Sequence, residues 1–479
     1  MTHRTARSID RVALAAIAAL MTLGTTDAIA QAPAPPAASA QNVVVLIGTG
    51  LGTAATTAAR VMRYKVDGSL TMDTMPYLAR VRTWALDAQT SGSAAAVTAL
   101  LTGVKVRNDV VAMDGKTRAI GYAPGKDPIR SVPNAENHCP ASGNGVPSRT
   151  LLELAIAKNK STGIVTTGRL TGGAAAAAYA HVCHRDAEFE VARQSVPGGA
   201  GFNPNLGRGV DVMMGGISSM WRPFEVGKRS HGRPDARELI GELQTLGYTF
   251  VSDLTAMNAA PIAAGSRIIG LYDFAEDQNA MSYELDREQK REPSLAAMTS
   301  KAIDVLSNNR NGFVLVVEGG RIGDALRASN ARRALTDTIA FDDAVKVVLD
   351  KVDLTKTLVV VTGDHDTTMT LIGGGLRGAD VLGLHLNPVS GKPDVDAGGV
   401  PYTSLVFGTG VNRPDKRGPL DSPTVLQKDY MQESAIKLQA GTNSGGDVVL
   451  RASGAGATTF RGTMDNTRVF ALIGKAAGL

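Results

Sequence analysis

The feature that most limits how this chain folds is an apolar run, NVVVLI at residues 42–47, which has no polar alternation. An alternating strand can leave one face in water, whereas an uninterrupted β-branched run needs cover on both faces of its sheet. Short apolar runs recur at residues 163–166, 210–214, 313–317 and 358–361. Between the last two lies a helical repeat of apolar residues, at Phe341, Val345, Val348 and Val352. The pattern predicts an α/β fold, with a central, mostly parallel sheet covered by helices on both faces.

The N-terminus has the composition of a secretory signal peptide. Arg4, Arg7 and Arg11 precede an apolar stretch at residues 12–23, and AIA at residues 28–30 is a small-x-small cleavage site. That stretch is too short to cross a bilayer comfortably, although a retained membrane anchor is the alternative interpretation. We therefore expect residues 1–30 to be a signal peptide and residues 31–41 to be a Pro/Ala-rich tether. The mature protein is then expected to be periplasmic or secreted, without a stable membrane span.

Charge and composition exclude several other classes of protein. The 479 residues include 53 Gly, 43% apolar and 4% aromatic residues, which is typical of an aliphatic core with many turns. The net charge of +5 is small and basic residues are interspersed with acidic ones, so we expect no nucleic-acid partner. We assign residues 42–479 to one domain, with a Gly/Pro-rich insertion at about residues 371–422. Cys139 and Cys183 are the only cysteines, and the sequence leaves open whether they pair.

Polar residues follow three of the predicted strands directly. They are Thr49, Glu318 and the neighbouring pair Asp364 and His365. In open α/β sheets, ligands bind where the strands deliver their carboxyl ends, so these side chains are expected to converge on one site. Each also has a structural alternative, as a buried cap or ion-pair partner.

Ser93 stands at a turn that leads into an Ala-rich helix, within SGSAAAVTA at residues 91–99. The N-terminus of a helix favours an anion, because its first N–H groups are free and the helix dipole is positive there. The alternative interpretation is a serine that only caps its helix.

These segments belong to a longer series of blocks. GTGLG at residues 48–52 is followed by the Ser93 helix, which ends in TGVK at 102–105, and by YAH at 179–181 with Arg185 close behind. VEGGRI at 317–322, RALTDT at 333–338 and VTGDH at 361–365 complete the series. In this order, across about residues 42–472, the blocks resemble the alkaline phosphatases. The resemblance implies an alkaline-phosphatase-like fold, hydrolysis of phosphate monoesters through a phosphoserine at Ser93, and phosphate binding by Arg185.

The same resemblance implies zinc and magnesium as cofactors, and a homodimer or pairing with a related chain. Asp364, His365 and Glu318 stand at ligand positions, and Thr49 is a weak candidate where the family has an aspartate that bridges zinc and magnesium. The other family positions have lost their ligands or acidic groups; they hold Gly323, Arg327, Asn443, Gly172, Ala174 and Gly92. We therefore expect reduced or absent metal binding. Asp324 and His385 are the candidates for rebuilding the site.

Lost ligands matter because a serine hydroxyl is a poor nucleophile at neutral pH unless a metal or a base activates it. One interpretation is a weak or inactive relative, a pseudoenzyme, that retains binding of phosphate or phosphomonoesters. The alternative is an active, metal-dependent phosphomonoesterase with a reduced or rebuilt metal site. Two arginines leave the choice open. Arg327 either brings positive charge into the site or lies in solvent, and Arg185 either binds an anion or pairs with Asp186 or another nearby acid.

Overall fold

A computed structural model of the protein describes residues 39–119, 143–224, 232–275 and 280–479. The expected signal peptide, most of the expected tether and Cys139 lie outside these residues, and Cys183 is disulfide-bonded. Ala40, just before the first strand, is buried and donates its N–H to the carbonyl oxygen of Ala476 at 2.7 Å. No helix within the described ranges is long and apolar enough to cross a membrane.

The strands form one large sheet and two small ones. Over the described residues they are, in chain order, β1 (Asn42–Gly48), β2 (Tyr77–Arg82), β3 (Ser161–Arg169), β4 (Val212–Gly216), β5 (Tyr248–Val251), β6 (Arg267–Tyr272), β7 (Phe313–Gly319), β8 (Thr357–Gly363), β9 (Asp366–Thr367), β10 (Met369–Leu371), β11 (Leu405–Gly410), β12 (Ser434–Lys437), β13 (Asn443–Ser444), β14 (Val448–Gly454) and β15 (Gly462–Asp465). The large sheet has the order β15-β2-β14-β8-β1-β7-β3-β4-β6-β5. β14 runs antiparallel to β2 and β8, and every other neighbouring pair in this sheet is parallel. The predicted mostly parallel sheet is confirmed.

Helices cover both faces of this sheet. In chain order, those in the described part of the chain are α1 (Thr53–Tyr64), α2 (Ser93–Thr102), α3 (Leu151–Ala157), α4 (Gly173–Ala176), α5 (Glu188–Gln194), α6 (Leu239–Thr245), α7 (Leu254–Ala259), α8 (Leu295–Leu306), α9 (Gly320–Arg327), α10 (Ala331–Lys351), α11 (Ser422–Val425) and α12 (Asn466–Ala477). Val43, Val45 and Ile47 of β1 lie in a core cluster with α2, α3, α6 and α12. Val44 and Leu46 lie in a second cluster with α1, α8 and α10. The cover on both faces that NVVVLI predicts is therefore confirmed.

The predicted crossover helix is α10. Phe341, Val345 and Val348 are fully buried on it, and Val352 follows directly after its last residue. The strands before and after α10, β7 and β8, lie on either side of β1 and run parallel to it. Their carboxyl ends therefore reach the same edge of the sheet as the end of β1.

Residues 371–422, expected to be an insertion, contain β11 and reach the first residue of α11, and β11 lies in a small sheet of order β10-β11-β12. Val381, Leu382 and Leu405 are buried in the second core cluster. Arg417 donates to Glu433 at 2.6 Å and to the carbonyl oxygen of Pro401 at 2.8 Å. This region is therefore packed on the same core as α10.

Candidate active site

The carboxyl ends of three adjacent strands bring the predicted site residues together. The strands lie in the order β8-β1-β7, and their register aligns the last residue of β1 with the last residues of β7 and β8. The hydroxyl of Thr49 donates to Oε1 of Glu318 at 2.9 Å. The N–H of Gly50 donates to Oδ1 of Asp364 at 2.7 Å. The polar residues at the carboxyl ends of the three strands, with Glu318 on β7 itself, thus line one edge of the sheet.

Glu318 is buried, with both carboxylate oxygens bonded to hydroxyl groups. Oε1 accepts from Thr49, and Oε2 accepts from Thr166 of the adjacent β3 at 2.8 Å. Burial raises the pKa of Glu318 to about 7, the two hydroxyls oppose that rise, and the charge of Asp364 adds to it. We did not predict Thr166 as a site residue. The sequence signal that could have identified Thr166 is its position at the end of the apolar run 163–166. In the sheet Thr166 pairs in register with Glu318.

Asp364 has one engaged oxygen and one free oxygen. Oδ1 accepts the N–H groups of Gly50 and His365, both at 2.7 Å. Oδ2 is buried and has no hydrogen-bond partner within the described residues. A buried carboxylate oxygen without a partner is costly, so this atom is available to a cation or to a hydrogen-bond donor.

Ser93 is in hydrogen-bond contact with His365. Ser93 Oγ lies 3.1 Å from Nε2 of His365, and both side chains are buried. Nδ1 of the same ring lies 2.9 Å from the carbonyl oxygen of Asp366, which can only accept a hydrogen bond. In the neutral ring the proton therefore sits on Nδ1, and Nε2 is left to accept the Ser93 hydroxyl. This arrangement of a serine and an oriented base is suited to nucleophilic chemistry.

Ser93 begins α2, which presents a second set of donors. The first intrahelical bond runs from the N–H of Ala96 to the carbonyl oxygen of Gly92, so the N–H groups of the first turn before it are not used within the helix. Arg185 lies near this turn, since a β-carbon at Gly173 would lie 2.9 Å from Cβ of Ala94 and 3.4 Å from Cβ of Arg185. Its guanidinium has no ion pair or hydrogen bond with any described residue. No ion pair between Arg185 and Asp186 is present among the described residues, and Asp186 Oδ2 lies 3.6 Å from Nδ1 of His184; the role of Arg185 stays a prediction.

Two asparagines hold the backbone just before Ser93. Asn108 bonds the turn from both sides, and Asn443 donates to the carbonyl oxygen of Ser91 at 2.8 Å. We had treated Asn443 only as a lost metal ligand and had not singled out Asn108. The available signal for Asn108 was its position shortly after the TGVK run.

At two positions where the resemblance implies a lost ligand, Gly323 and Arg327, and at the candidate replacements Asp324 and His385, the side chain is absent, exposed or bonded to another group. A β-carbon at Gly323 would lie 2.5 Å from Cγ2 of Thr49, so the methyl group of Thr49 occupies that space. Arg327 is exposed on the last turn of α9. Asp324 is also exposed and pairs with Arg321 at 3.1 Å. His385 bonds to Asp394 and to the carbonyl oxygen of Gly373, both at 3.0 Å.

The side chains of this site do not fit the zinc and magnesium ions that the resemblance implies. Structural and catalytic zinc sites use three or four good ligands. Among the described residues no group of three or more His, Cys, Asp or Glu side chains is arranged to hold a metal ion. Of the candidate ligands, Asp364 Oδ2 has no hydrogen-bond partner among the described residues, Nε2 of His365 contacts Ser93, and both oxygens of Glu318 accept from threonines.

A comparison with known proteins gives the family. The family model described as "Alkaline phosphatase" matches residues 40–479. The chain is similar to the alkaline phosphatase of Gadus morhua, with 28% identity over 463 residues that cover 90% of each chain. It is also similar to the tissue-nonspecific isozyme of alkaline phosphatase from Rattus norvegicus, with 28% identity over 459 residues, 90% of this chain and 82% of the relative.

Solved structures give the same fold. The alkaline phosphatase of Thermus thermophilus has a TM-score of 0.65 and 21% identity, and the match covers 92% of both chains. That of the Antarctic bacterium TAB5 has a TM-score of 0.61 and 19% identity, over 92% of this chain and 99% of the other. A structure of a TAB5 mutant is described as holding Mg in its M3 site. At these identities the likeness establishes the fold.

Proposed function

The chain belongs to the alkaline phosphatase family, and from this premise we propose that it binds phosphate monoesters at Ser93 and Arg185 and hydrolyses them weakly or not at all. The observation that carries the proposal is the pair of threonine hydroxyls that donate to Glu318. In a metal centre a carboxylate at this position would face cations. Here O–H donors satisfy both of its oxygens, while the guanidinium of Arg185 has no hydrogen bond or ion pair with any described residue.

Anion binding is supported by three groups that lie together. The guanidinium of Arg185 can donate two parallel hydrogen bonds to phosphate oxygens. The first turn of α2 offers N–H groups and the positive end of the helix dipole. Ser93 is 9% exposed, so a small anion can reach its hydroxyl from the edge of the sheet.

Reduced or absent metal binding is supported by the packing around Thr49. Its hydroxyl donates to Glu318 and its methyl group fills the space beside Gly323. Oδ1 of Asp364 accepts two backbone N–H groups. Zinc and magnesium, where they bind in this family, neutralise charge on the transferred phosphoryl group; Asp364 and His365 are the residues here that would contact such an ion.

The Ser93–His365 contact favours a second candidate, slow hydrolysis that keeps the phosphoserine. The Ser93 oxygen bonds to phosphorus, the ester P–O bond breaks, and the Ser93 proton passes through Nε2 of His365 to the leaving alcohol. A water molecule then attacks the phosphorus and gives one proton to the same ring. The bond from phosphorus to Ser93 Oγ breaks, the ring returns the proton to Oγ, and phosphate is released. This candidate includes the case in which a reduced or rebuilt metal site assists.

The test combines three measurements on the purified mature protein. Zinc and magnesium are counted by elemental mass spectrometry, phosphate affinity is measured by calorimetry, and hydrolysis of p-nitrophenyl phosphate is followed with and without EDTA. The variants are Ser93→Ala, Arg185→Met and His365→Gln. Ser294→Ala is the matched control, because Ser294 also begins a helix, where its hydroxyl accepts the N–H of Ala297 at 3.1 Å.

We expect fewer than one metal ion per chain, and phosphate binding that weakens about tenfold or more in Arg185→Met and is unchanged in Ser294→Ala. Turnover that survives EDTA and is lost in His365→Gln favours the second candidate. About two zinc ions per chain with Ser93-dependent turnover contradict the first candidate, since that result requires an intact metal centre. A wild type that does not bind phosphate contradicts both.

We also propose that the protein works outside the cytoplasm, in the periplasm or secreted, and as a homodimer. Export is supported by the signal-peptide pattern of the N-terminus and by the disulfide of Cys183, since disulfides persist in oxidising compartments. The dimer rests on family membership. Sequencing of the N-terminus from the exported protein and light scattering of the same sample test both statements.

A further inference from the structure

The turn that precedes Ser93, residues 90–92, has backbone groups that no strand or helix satisfies. Two side-chain amides from distant parts of the chain bond to them. Asn108 accepts the N–H of Gly92 at 2.7 Å with Oδ1 and donates to the carbonyl oxygen of Thr90 at 3.2 Å with Nδ2. The Asn108 amide therefore bonds one N–H and one carbonyl group of the turn, as the backbone of a neighbouring strand would.

Asn108 is itself held in place. Its backbone N–H donates to the carboxylate of Asp87 at 2.9 Å. Gly92 has an extended backbone, with φ −83° and ψ 164°, and a glycine at such a junction has more conformational freedom than any other residue. The two bonds from Asn108 restrict that freedom at the residue directly before Ser93.

Asn443 bonds the middle of the same turn. Its Nδ2 donates to the carbonyl oxygen of Ser91 at 2.8 Å, and Ser91 is buried. Asn443 lies on β13, which pairs with β9, and its partner there is Thr367. Thr367 follows His365 by two positions. Asn443 therefore joins the backbone that carries Ser93 to the backbone that carries His365.

We propose that Asn108 and Asn443 are positioning residues that hold residues 90–92 so that Ser93 Oγ contacts Nε2 of His365 and the first turn of α2 faces the anion. The proposal rests on the proposed function, in which Ser93 and α2 bind phosphate. In the family resemblance position 443 belongs to a metal ligand; in this chain an amide at that position sets the geometry of the nucleophile. Displacement of a reacting group by about 1 Å costs about a hundredfold in rate, so such a restraint has a measurable effect.

Asn443→Leu tests the proposal, because leucine is close in size, carries no charge and cannot donate to Ser91. The matched control is Asn309→Leu. Asn309 also donates its amide to a backbone carbonyl, that of Asn159 at 2.9 Å, but next to the first residue of β3, at the opposite edge of the large sheet. Asn309→Leu removes three side-chain hydrogen bonds and Asn443→Leu removes one, so a general loss of stability affects the control at least as much. Asn443→Ala is the milder replacement if Asn443→Leu does not fold, and Asn443→Gln keeps the donor.

Two readouts are taken on the mature chain. Calorimetry gives the affinity for inorganic phosphate, and crystal structures give the Ser93 Oγ to His365 Nε2 distance. We expect Asn443→Leu to bind phosphate about tenfold more weakly than wild type and to show a longer distance than 3.1 Å. Asn309→Leu should match wild type in both, and Asn443→Gln should recover part of the affinity.

Asn443→Leu with wild-type affinity and an unchanged contact overturns the positioning role. If wild type binds no phosphate, or Ser93→Ala and Arg185→Met bind it as well as wild type, the proposed function fails. The crystallographic distance still decides the positioning role in that case, since it does not depend on binding or turnover.

Discussion

At the residue scale, Thr49 donates its hydroxyl to Glu318 at 2.9 Å and packs its methyl group against Gly323. Thr49→Val keeps the shape and removes the donor, so a buried carboxylate oxygen loses its partner. We expect the free energy of unfolding to fall by about 1–3 kcal/mol, measured by urea denaturation. Thr57→Val, on the partly exposed face of α1, is the control and should change it by less than about 0.5 kcal/mol. Equal effects of the two changes would contradict the bond.

Glu153 and His181 form a buried pair, and His181 belongs to the same segment of the chain as Arg185. Nε2 of His181 lies 2.7 Å from Glu153 Oε1, and Asn203 donates to the same oxygen at 2.6 Å. Burial by itself raises the pKa of Glu153, but the bonds from His181, Asn203 and the Thr150 N–H outweigh it, so the pKa lies below the usual value. A carboxyl with a lowered pKa stabilises the fold above its unfolded pKa, and that stabilisation is lost as the pH falls through the folded pKa.

Glu153→Gln should therefore destabilise most at neutral pH. We expect the free energy of unfolding at neutral pH to fall by about 3 kcal/mol, because the buried His181 ring loses its charged partner. The difference in the free energy of unfolding between Glu153→Gln and wild type should narrow as the pH falls below about 4, because Glu153 then becomes protonated in wild type. Denaturant unfolding across this range measures it, with Glu288→Gln as an exposed control that should change stability by less than about 1 kcal/mol. A difference that stays constant with pH would rule out the pair as its cause.

At the element scale, α2 depends on how it ends as well as on how it begins. Gly103 ends the helix with φ +73°, and a β-carbon there would lie 2.6 Å from Cδ1 of Phe470 on α12. Gly462 has almost the same φ angle, +74°, and a β-carbon there would have no atom within 4 Å. Alanine at either position adopts a backbone that costs about 1 kcal/mol, and at Gly103 it also displaces α12.

Gly103→Ala should thus lower the free energy of unfolding by about 1–3 kcal/mol more than Gly462→Ala does. Urea denaturation of the two variants measures this difference. Both glycines have a positive φ, so the cost of the left-handed backbone cancels when the two variants are compared. Because α2 presents Ser93, phosphate affinity should also fall in Gly103→Ala alone. Equal destabilisation would show that Phe470 moves aside without cost.

At the scale of the whole molecule, residues 371–422 depend on Arg417. Its guanidinium binds the carboxylates of Asp396 and Glu433 and the carbonyl oxygens of Val400 and Pro401, and the two carboxylates raise its pKa. Removing this charge leaves several acceptors without a donor. The rest of the core, built on the ten-stranded sheet, does not use Arg417.

Arg417→Gln should therefore loosen this region before the whole molecule unfolds. We expect chymotrypsin to cleave residues 371–422 several times faster than in wild type, while the unfolding temperature of the main sheet changes little. Arg413→Gln is the control, since Arg413 is exposed and makes one weak bond, to Ser434 at 3.4 Å. Similar cleavage rates in both variants would remove Arg417 from this role.

Local sequence patterns determined the class of fold and the edge of the sheet where the site lies. The run NVVVLI requires cover on both faces, and the polar residues at the carboxyl ends of β1, β7 and β8 meet at one edge because parallel neighbouring strands end together. These conclusions follow from sequence alone because hydrophobic periodicity and strand ends are properties of consecutive residues.

Contacts between distant segments were decided only by the tertiary structure. Ser93 and His365 are 272 positions apart, and the register of the sheet and the packing of α2 bring them to 3.1 Å. The same holds for Thr166 beside Glu318 and for Asn443 on the turn before Ser93, whose residue types alone indicate no partner. A side chain's chemistry can be read from the sequence, but its partner depends on where the backbone of another element passes, and that is set by the packed core.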